Sequence, residues 1–517
     1  MYLTTALPYV NAEPHIGHLY EMVVCDTLAR HWRLREDTFF LTGSDEHGTK
    51  VAEAARARGV SPQEFVDSMA RLYQETWAEC GISYDQFVRT TSPEHVRVVR
   101  EILSAVHAKG DIYYGRYSGL YCTGCERFYT EKELQQGKCP EHLREPERIE
   151  EENYFFRMSR YQGALLRHLE RHPETIVPDR YRNEVLSLLR EQALGDLCIS
   201  RPKTRLGWGI ELPFDERFVT YVWFDALLSY VSGLKAKGEK TFDRFWPQCH
   251  HVIGKDIVKP HGVYWPTMLM SAGLPLYRQL HVHGYWTRGE SRVSKSLGNV
   301  VRPLEVKKIF GMEAFRYFLL REMAYGHDAT FTEDALVTRI NADLANGLGN
   351  LVTRTLSMQH RFFGGRVQPL SDWRPEDREL YTAFDTAARE VPEFLESFAF
   401  HRALESIWRA IDRANKYVVR TAPFQLAKDA ARRDRAGEVL HHLLEGLRTV
   451  AHLLHAPMPE TSRRLLALLG REEERPTAAL PTESWGRNFQ PGSQVGRPEI
   501  LFPRVEFPGR TDDGKKP

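Results

Sequence analysis

Short apolar runs alternate with amphipathic stretches over the first 60 residues of the chain. Residues 1–9 predict a buried strand, and the stretch from about His15 to Arg33 has apolar residues at helical spacing. Residues 38–48 predict a second strand that ends in a polar loop, and residues 49–58 predict another helix. This order is typical of a parallel sheet, which binds ligands beyond the carboxyl ends of its strands.

The pattern changes twice further along the chain. Glycine, cysteine and charged residues replace the alternation from roughly 115 to 200, which predicts an insertion. Strand-like runs return at 218–224, 250–258 and 280–286, whereas helical spacing marks 333–358, 377–415 and 435–469. We therefore predict an α/β fold: a Rossmann-like parallel sheet split by an insertion and followed by an all-α bundle.

Composition narrows the function classes. The chain has 517 residues, 42% of them apolar and 27% charged, which is typical of a globular protein of several domains. No apolar run approaches the roughly 20 residues that a membrane helix needs, and the N-terminus lacks the features of a leader, so we expect a cytoplasmic protein without membrane contact. Because 70 basic residues nearly cancel 69 acidic ones, nucleic-acid binding would need local basic patches.

Two short motifs suit a polyphosphate. His15 and His18 lie about one turn apart at a predicted helix start, with Gly17 between them, where the helix dipole favours phosphate. About 280 residues later, the segment 292–299 carries Ser294 and Lys295 in a basic, hydroxylated loop. Each motif alone also fits ordinary surface or core residues.

The cysteines are unevenly distributed. Cys122 and Cys125 are separated by two residues, and Cys139 and His142 repeat that spacing after a gap of thirteen residues. Four such ligands can close a tetrahedron around zinc, with no position open to water. We therefore predict one structural zinc ion, with redox cysteines or chance as the alternatives.

Together the paired signatures resemble those of class I aminoacyl-tRNA synthetases, in which both motifs contact the ATP phosphates. Arg292 and Val293 stand where that class more often has Lys and Met. Across nearly the whole chain the resemblance is closest to methionyl-tRNA synthetases. It is carried by the strings TTALPYVNAEPHIGH, TGSDEHGTK, YVWFDAL, GKDIVKPHGVYWP, VHGYW and NADLANGLGNLVTR.

This resemblance implies ATP-dependent ligation of L-methionine to tRNA(Met) through a methionyl-adenylate, with Mg²⁺ accompanying ATP. Asp45 would hold the substrate ammonium, Arg201 would face the carboxylate or phosphate, and Asp256 would hold the ribose. The residues implied at the ATP phosphates are His15, Gly17, His18, Ser294 and Lys295. The implied methionine-binding residues are Ala6, Leu7, Tyr9, Asp45, Trp223, Tyr230 and His261.

The resemblance further implies that the helical half binds the anticodon. Asn350 and Arg354 match the family's anticodon contacts, and Phe424 stands where most relatives have Trp after Ala-Pro. Aromatic side chains of this kind stack under unpaired bases. We expect a monomer, because the chain ends before the C-terminal module that dimerises many relatives.

The same resemblance divides the chain into six parts. They are 1–114 (first half of the catalytic domain), 115–215 (insertion with the zinc knuckle), 216–290 (second half), 291–335 (basic loop and stem-contact region), 336–470 (anticodon-binding domain) and 471–517 (a partly flexible segment).

Three other functions compete with this interpretation. A small nucleotidylyltransferase shares the first signature but needs no zinc insertion or helical extension. Leucyl and valyl synthetases usually carry a larger insertion, and a cysteinyl enzyme would place zinc in its amino-acid pocket. A non-catalytic RNA-binding descendant would be expected to lose His15, His18 or Lys295, and all three are present.

Overall fold

The computed structural model describes residues 1–122, 127–129, 131, 134–140, 143–288, 291–292, 300–477 and 482–506. The strands are β1 Tyr2–Thr5, β2 Phe39–Ser44, β3 Gln86–Arg89, β4 Ile112–Cys122, β5 Arg127–Tyr129, β6 Glu147–Phe156, β7 Ile176–Val177, β8 Leu197–Cys198, β9 Ser200–Pro202, β10 Glu211–Leu212, β11 Asp215–Thr220, β12 Cys249–Gly254, β13 Gln279–His283, β14 Trp286–Arg288, β15 Ser291–Arg292 and β16 Ala329–Thr330.

The α-helices are α1 Ile16–Arg33, α2 Thr49–Ala57, α3 Pro62–Glu79, α4 Pro93–Ala108, α5 Gln162–Arg171, α6 Asp179–Glu191, α7 Val222–Ala226, α8 Ser229–Lys235, α9 Glu239–Phe245, α10 Trp265–Ala272, α11 Pro303–Phe310, α12 Met312–Glu322, α13 Glu333–Arg339, α14 Asn350–Phe363, α15 Pro375–Glu396, α16 Phe400–Thr421, α17 Pro423–Leu426, α18 Arg433–Leu454 and α19 Pro459–Leu468. Two π-helical segments, Pro260–Tyr264 and Ile340–Gly349, lead into α10 and α14.

The chain divides into two compact units. The first unit comprises residues 1–14 and 38–283, and the second comprises residues 15–37 and 284–517. None of the helices in the described part of the chain is long and apolar enough to cross a membrane.

A six-stranded parallel sheet forms the centre of the first unit, in the order β3-β2-β1-β12-β13-β7. Strand β1 is buried along its whole length and pairs with β2 on one side and β12 on the other. Parallel sheets carry apolar strands because both of their faces are covered. The predicted parallel sheet is therefore confirmed, and its carboxyl edge carries the segments that follow β1, β2 and β12.

Two smaller antiparallel sheets also belong to the first unit. Strands β5, β4, β6 and β8 form one of them, and β10, β11 and β9 form the other. Strand β7 lies within the range 115–215 predicted as an insertion, yet it pairs with β13 at the edge of the parallel sheet. The segment predicted as one insertion thus contributes strands to three different sheets.

The predicted strand 218–224 is only half correct. Strand β11 ends at Thr220 and α7 begins at Val222, so Trp223 lies on a helix. A short run of aromatic and β-branched residues does not by itself distinguish a buried strand from a buried helical turn.

The second unit is largely helical. Helix α1 packs on α12 and α15, while α15, α16 and α18 pack together in a bundle. The predicted helical region 377–415 is two helices, because the chain breaks at 397–399, where Phe398 adopts a φ of 59°. A small sheet of β15, β14 and β16 also belongs to this unit.

Candidate active site

The segments that follow β1 and β2 are joined at the carboxyl edge of the parallel sheet. Asp45 donates its backbone N–H to the Pro8 carbonyl at 3.0 Å, and its carbonyl accepts from the Val10 N–H at 3.2 Å. Tyr9 and Asp45 therefore form a parallel bridge beyond the strand ends. The buried Asp45 is thus held next to Tyr9, and both are predicted methionine-binding residues.

A buried hydrogen bond joins two more of the predicted methionine-binding residues. His261 lies 3.0 Å through Nδ1 from the Ile257 carbonyl and 2.8 Å through Nε2 from the Tyr230 hydroxyl. Because a carbonyl only accepts, Nδ1 carries the proton, and Nε2 accepts from Tyr230. Burial lowers the pKa of His261 to about 4, so the ring is neutral at physiological pH.

Trp223 and two apolar residues after β1 are the other predicted wall residues. Trp223 meets His261 edge-on, with 6.5 Å between the ring centroids. Ala6 and Leu7 are half-buried and pack against the hydrophobic core that includes Tyr230. Two aromatic rings therefore flank a neutral imidazole, and such a lining suits a thioether.

A histidine on β12 forms a second layer behind Tyr230. The buried ring of His251 lies 4.3 Å from the ring of Tyr230, measured between centroids. His251 accepts from Trp265 Nε1 at 3.1 Å and contacts the Thr4 hydroxyl at 2.7 Å. No sequence pattern indicated this layer, because the ring lies inside a strand and its partners are remote along the chain.

Arg201 lies between two aromatic rings. Its guanidinium carbon is 4.6 Å from the ring centroid of Tyr221 and 5.1 Å from that of Tyr121. The side chain is buried, and Nη1 donates to the Ser200 carbonyl at 2.7 Å. The two cation–π contacts stabilise the charge away from bulk water and hold the guanidinium in place. The resemblance indicated Arg201, whereas neither tyrosine was among the predicted site residues.

Asp256 follows the carboxyl end of β12, in a short helical turn over Lys255–Ile257. A Cβ at Gly254 would lie 2.7 Å from Asp256 Oδ1, so any larger residue there would displace the carboxylate. Asp256 is exposed at the sheet edge, which is where folds of this kind bind nucleotides.

The two signature histidines form a stacked pair at the start of α1, in the second unit. Their ring centroids are 3.8 Å apart and the rings are nearly parallel. His15 Nδ1 accepts from the Gly17 N–H at 3.1 Å, and His18 Nδ1 accepts from the His15 N–H at 3.3 Å. Each neutral ring therefore carries its proton on Nε2, so both imidazoles are hydrogen-bond donors at a helix N-terminus.

A backbone hydrogen bond joins the first signature to a residue just after the second signature. Ile16 donates its N–H to the Val301 carbonyl at 2.9 Å, which connects the start of α1 to the chain just after the predicted basic loop. Ser294 and Lys295 themselves lie outside the described residues. Ile16 and Val301 both belong to the second unit.

A buried ion pair anchors α1 to α12 in the same unit. Arg316 Nη2 lies 2.7 Å from Asp26 Oδ2, and both side chains are almost fully buried. Arg316 also donates through Nε to the Pro457 carbonyl at 3.0 Å. The helix that begins with the signature histidines is therefore held by a charged contact in its middle.

Two of the four predicted zinc ligands lie in one small cluster. Cys122 and Cys139 are buried, and they form a core cluster with Tyr129. Cys125 and His142 lie outside the described residues. Within the described part of the chain, no three His, Cys, Asp or Glu side chains are grouped as metal ligands, so the zinc site stays a prediction.

The predicted anticodon residues lie on two helices of the second unit. Asn350 and Arg354 lie on the first two turns of α14, where Asn350 is exposed and Arg354 is half-buried. Phe424 lies on α17 and is 38% exposed, so part of its ring is accessible for stacking.

Comparison with known proteins identifies the class. The family model described as tRNA synthetases class I (M) matches residues 1–148 and 142–356. The chain is 42% identical to the methionine–tRNA ligase of Caldanaerobacter subterraneus subsp. tengcongensis, over 98% of this chain and 79% of that protein. It is 43% identical to the methionine–tRNA ligase of Deinococcus radiodurans, over 98% of this chain and 74% of that protein.

Solved structures agree with these sequence matches. Mycobacterium tuberculosis methionyl-tRNA synthetase in complex with methionyl-adenylate superimposes with a TM-score of 0.90 at 39% identity, covering 97% of this chain and 99% of that chain. The apo form of the same enzyme gives a TM-score of 0.83 at 37% identity, covering 98% of each chain. The chain thus has the fold of a class I tRNA synthetase. Within that class, it belongs to the methionine–tRNA ligase family.

Proposed function

We propose that this protein activates L-methionine with ATP and transfers the methionyl group to tRNA(Met). The observation that carries the proposal is the Ile16–Val301 hydrogen bond, because it joins the first signature to a residue two positions after the second signature, in one unit. Membership in the methionine–tRNA ligase family supports the assigned reaction. The aromatic side chains around His261 suit the side chain of methionine.

Methionine binding is assigned to the first unit. The Asp45 carboxylate would bind the substrate ammonium, while Trp223, Tyr230 and neutral His261 would contact the side chain. A protonated His261 would place a charge against the thioether and lose the hydrogen bond that it accepts from Tyr230. The low pKa of His261 therefore favours an apolar amino-acid substrate.

In the first step, a methionine carboxylate oxygen bonds to the α-phosphorus of ATP, and the bond from that phosphorus to the bridging oxygen breaks, releasing pyrophosphate. The Nε2–H groups of His15 and His18 would donate to phosphate oxygens, and Lys295 would add a positive charge. When bound with ATP, Mg²⁺ supplies further charge neutralisation. Positioning and charge stabilisation suffice, so no protein nucleophile is needed.

In the second step, a ribose hydroxyl of the tRNA 3′-terminal adenosine attacks the activated carbonyl. An ester forms, AMP leaves and the hydroxyl proton is released. Buried Arg201 is assigned to the carboxylate or phosphate side during these steps, where a guanidinium held by Tyr121 and Tyr221 would stay in place as charge develops.

Pyrophosphate exchange with each of the twenty amino acids, offered one at a time, tests the proposal. Exchange should depend on methionine far more than on any other amino acid. An enzyme that exchanges equally well with a different amino acid would contradict the assigned substrate.

Lys295→Ala tests the role of the basic loop in the same assay. The exchange rate should fall by about 100-fold or more, because one donor to transition-state charge is lost. Methionine binding measured by calorimetry should be retained in this variant. Lys308→Ala, at an exposed lysine of α11, is the matched control and should leave the rate unchanged. Unchanged exchange in Lys295→Ala would contradict the assignment.

We further propose one structural zinc ion bound by Cys122, Cys125, Cys139 and His142. The clustering of Cys122 with Cys139 supports it, because two soft sulfur donors belong to one buried cluster. Elemental analysis of the purified protein distinguishes a zinc protein from a metal-free one.

The proposal also includes the state of the enzyme and its contact with tRNA. The enzyme is assigned as a cytoplasmic monomer. The residues Asn350, Arg354 and Phe424 of the second unit would contact the tRNA anticodon.

A further inference from the structure

Four buried polar side chains of the first unit form a continuous hydrogen-bonded chain. His47 Nδ1 lies 2.7 Å from Asp225 Oδ2, and His95 Nε2 lies 2.7 Å from Asp225 Oδ1. His95 Nδ1 lies 2.7 Å from the Ser232 hydroxyl. We call His47, Asp225, His95 and Ser232 the inner chain.

The charge of Asp225 fixes the proton positions along the inner chain. Asp225 is fully buried, and burial alone would raise its pKa, but the His47 and His95 rings lower it to about 2. An ionised carboxylate only accepts, so His47 must carry a proton on Nδ1 and His95 on Nε2. Both oxygens of this buried carboxylate are therefore matched to a donor.

Three members of the inner chain lie close in sequence to predicted methionine-binding residues. His47 is two residues after Asp45, Asp225 is two residues after Trp223, and Ser232 is two residues after Tyr230. The three pairs lie on three separate elements: the segment after β2, helix α7 and helix α8. The inner chain thus ties together the elements that carry three of the predicted substrate contacts.

Asp225 is the residue on which this connection depends. Within the described part of the chain, its carboxylate is the one hydrogen-bond partner of the His47 side chain, which otherwise packs on the Trp208 ring at 5.3 Å between centroids. Asp225 therefore orients the His47 ring. Removal of its charge would weaken the hydrogen bond that joins the segment of Asp45 to the helix of Trp223.

We propose that Asp225 is a positioning residue for methionine binding, acting through His47 and His95 to fix Asp45, Trp223 and Tyr230 relative to one another. The inference rests on the proposed function. It predicts a selective effect: weaker methionine binding with unchanged use of ATP. A merely structural contact would instead lower stability without changing either Michaelis constant.

Asp225→Asn tests this proposal in the full-length enzyme. The amide keeps the size of the side chain but removes the charge that orders both imidazoles. The KM for methionine in pyrophosphate exchange should rise about 10-fold or more, since small misplacements of binding groups cost up to ~100-fold. The KM for ATP should change by less than about twofold, because the three residues that the inner chain ties together are predicted methionine contacts.

A second pair of variants acts at His95, which, like Asp225, is not a predicted substrate contact. His95→Phe keeps a ring but leaves one Asp225 oxygen without its donor, so it should also raise the KM for methionine. His95→Gln restores an N–H donor at the position of Nε2 and should recover much of the loss. Ser271→Ala is the matched control, because it removes a buried hydrogen bond of 2.8 Å to Asp111 in the same unit and should leave both Michaelis constants unchanged.

The possible outcomes separate this inference from the proposed function. If wild-type enzyme exchanges pyrophosphate with methionine but Asp225→Asn and His95→Phe keep a normal KM for methionine, the inference fails and the proposed function stands. The inference also fails if the Michaelis constants for methionine and ATP rise equally, or if Ser271→Ala has the same effect. If Asp225→Asn does not fold, the KM values of His95→Phe and His95→Gln for methionine decide whether the inference holds. If wild-type enzyme shows no exchange with methionine, the proposed function itself fails.

Discussion

At the residue scale, the hydrogen-bond partner of a histidine decides which ring nitrogen carries the proton. His15 and His18 accept through Nδ1 and so donate through Nε2, whereas His261 donates through Nδ1 and accepts through Nε2. The first arrangement suits phosphate oxygens, and the second suits an apolar pocket. The same residue type therefore takes opposite proton arrangements, which its hydrogen-bond partners decide.

The prediction at this scale concerns base stacking on Phe424. Stacking of a base on an aromatic ring contributes about 1–3 kcal/mol, so Phe424→Ala should lower kcat/KM for tRNA(Met) about 10-fold. Steady-state aminoacylation with varied tRNA measures this. Val419→Ala, at a residue that is 68% exposed, is the control and should have little effect. Equal losses in both variants would speak against stacking at Phe424.

At the element scale, the position of α1 depends on a charge buried inside the second unit. Asp26 accepts from Arg316 at 2.7 Å and from Arg30 at 2.8 Å. Periodicity predicted the helix correctly but did not indicate a buried charge as its anchor. Because His15 and His18 begin this helix, its attachment to α12 also determines where the two imidazoles lie.

Asp26→Ala should lower the free energy of unfolding by about 3–5 kcal/mol, because it removes the carboxylate that pairs with the buried Arg316 guanidinium. Urea unfolding measures the change. Glu460→Ala breaks the exposed pair with Arg463 and should cost less than about 1 kcal/mol. Comparable losses from the two substitutions would show that burial of the Asp26–Arg316 pair does not matter.

At the scale of the whole molecule, both units hold neutral histidines in largely buried positions. Burial lowers the pKa of His250 and His261 in the first unit, and of His442 and His455 in the second, to about 4 in each case. The unfolded chain binds these protons at about pH 6.5, whereas the folded protein does not bind them until about pH 4. Their contribution to stability is therefore complete above about pH 6.5 and falls as the pH drops toward about 4.

The free energy of unfolding should accordingly decrease steeply as the pH falls from about 6.5 to about 4. The expected decrease is about 1 kcal/mol per pH unit for each such histidine. Urea titrations at about pH 7, 6 and 5 measure the slope. His455→Gln removes one titrating group and should flatten the curve relative to wild type. Constant stability across this range would contradict the neutral, buried state of these side chains.

Much of the fold followed from local pattern alone. The strand–helix alternation of the first 60 residues predicted a parallel sheet, since apolar period and turn residues are local properties. The class of enzyme was predicted from the resemblance that the paired signatures and the aromatic strings carry, since each of them is a short, contiguous motif. The range 218–224 was less predictable, since the same apolar residues fit a strand or a helical turn.

The sequence by itself determined the class of fold and the position of the signature histidines, because these depend on the order and spacing of neighbouring residues. The candidate methionine contacts were implied by the resemblance to a known family. Only the tertiary structure decided that β7 joins the parallel sheet, that Tyr121 and Tyr221 enclose Arg201, and that Asp225 binds two histidines. Most of those contacts join residues far apart along the chain, and hydrogen bonding and burial between distant segments leave no periodic trace in the sequence.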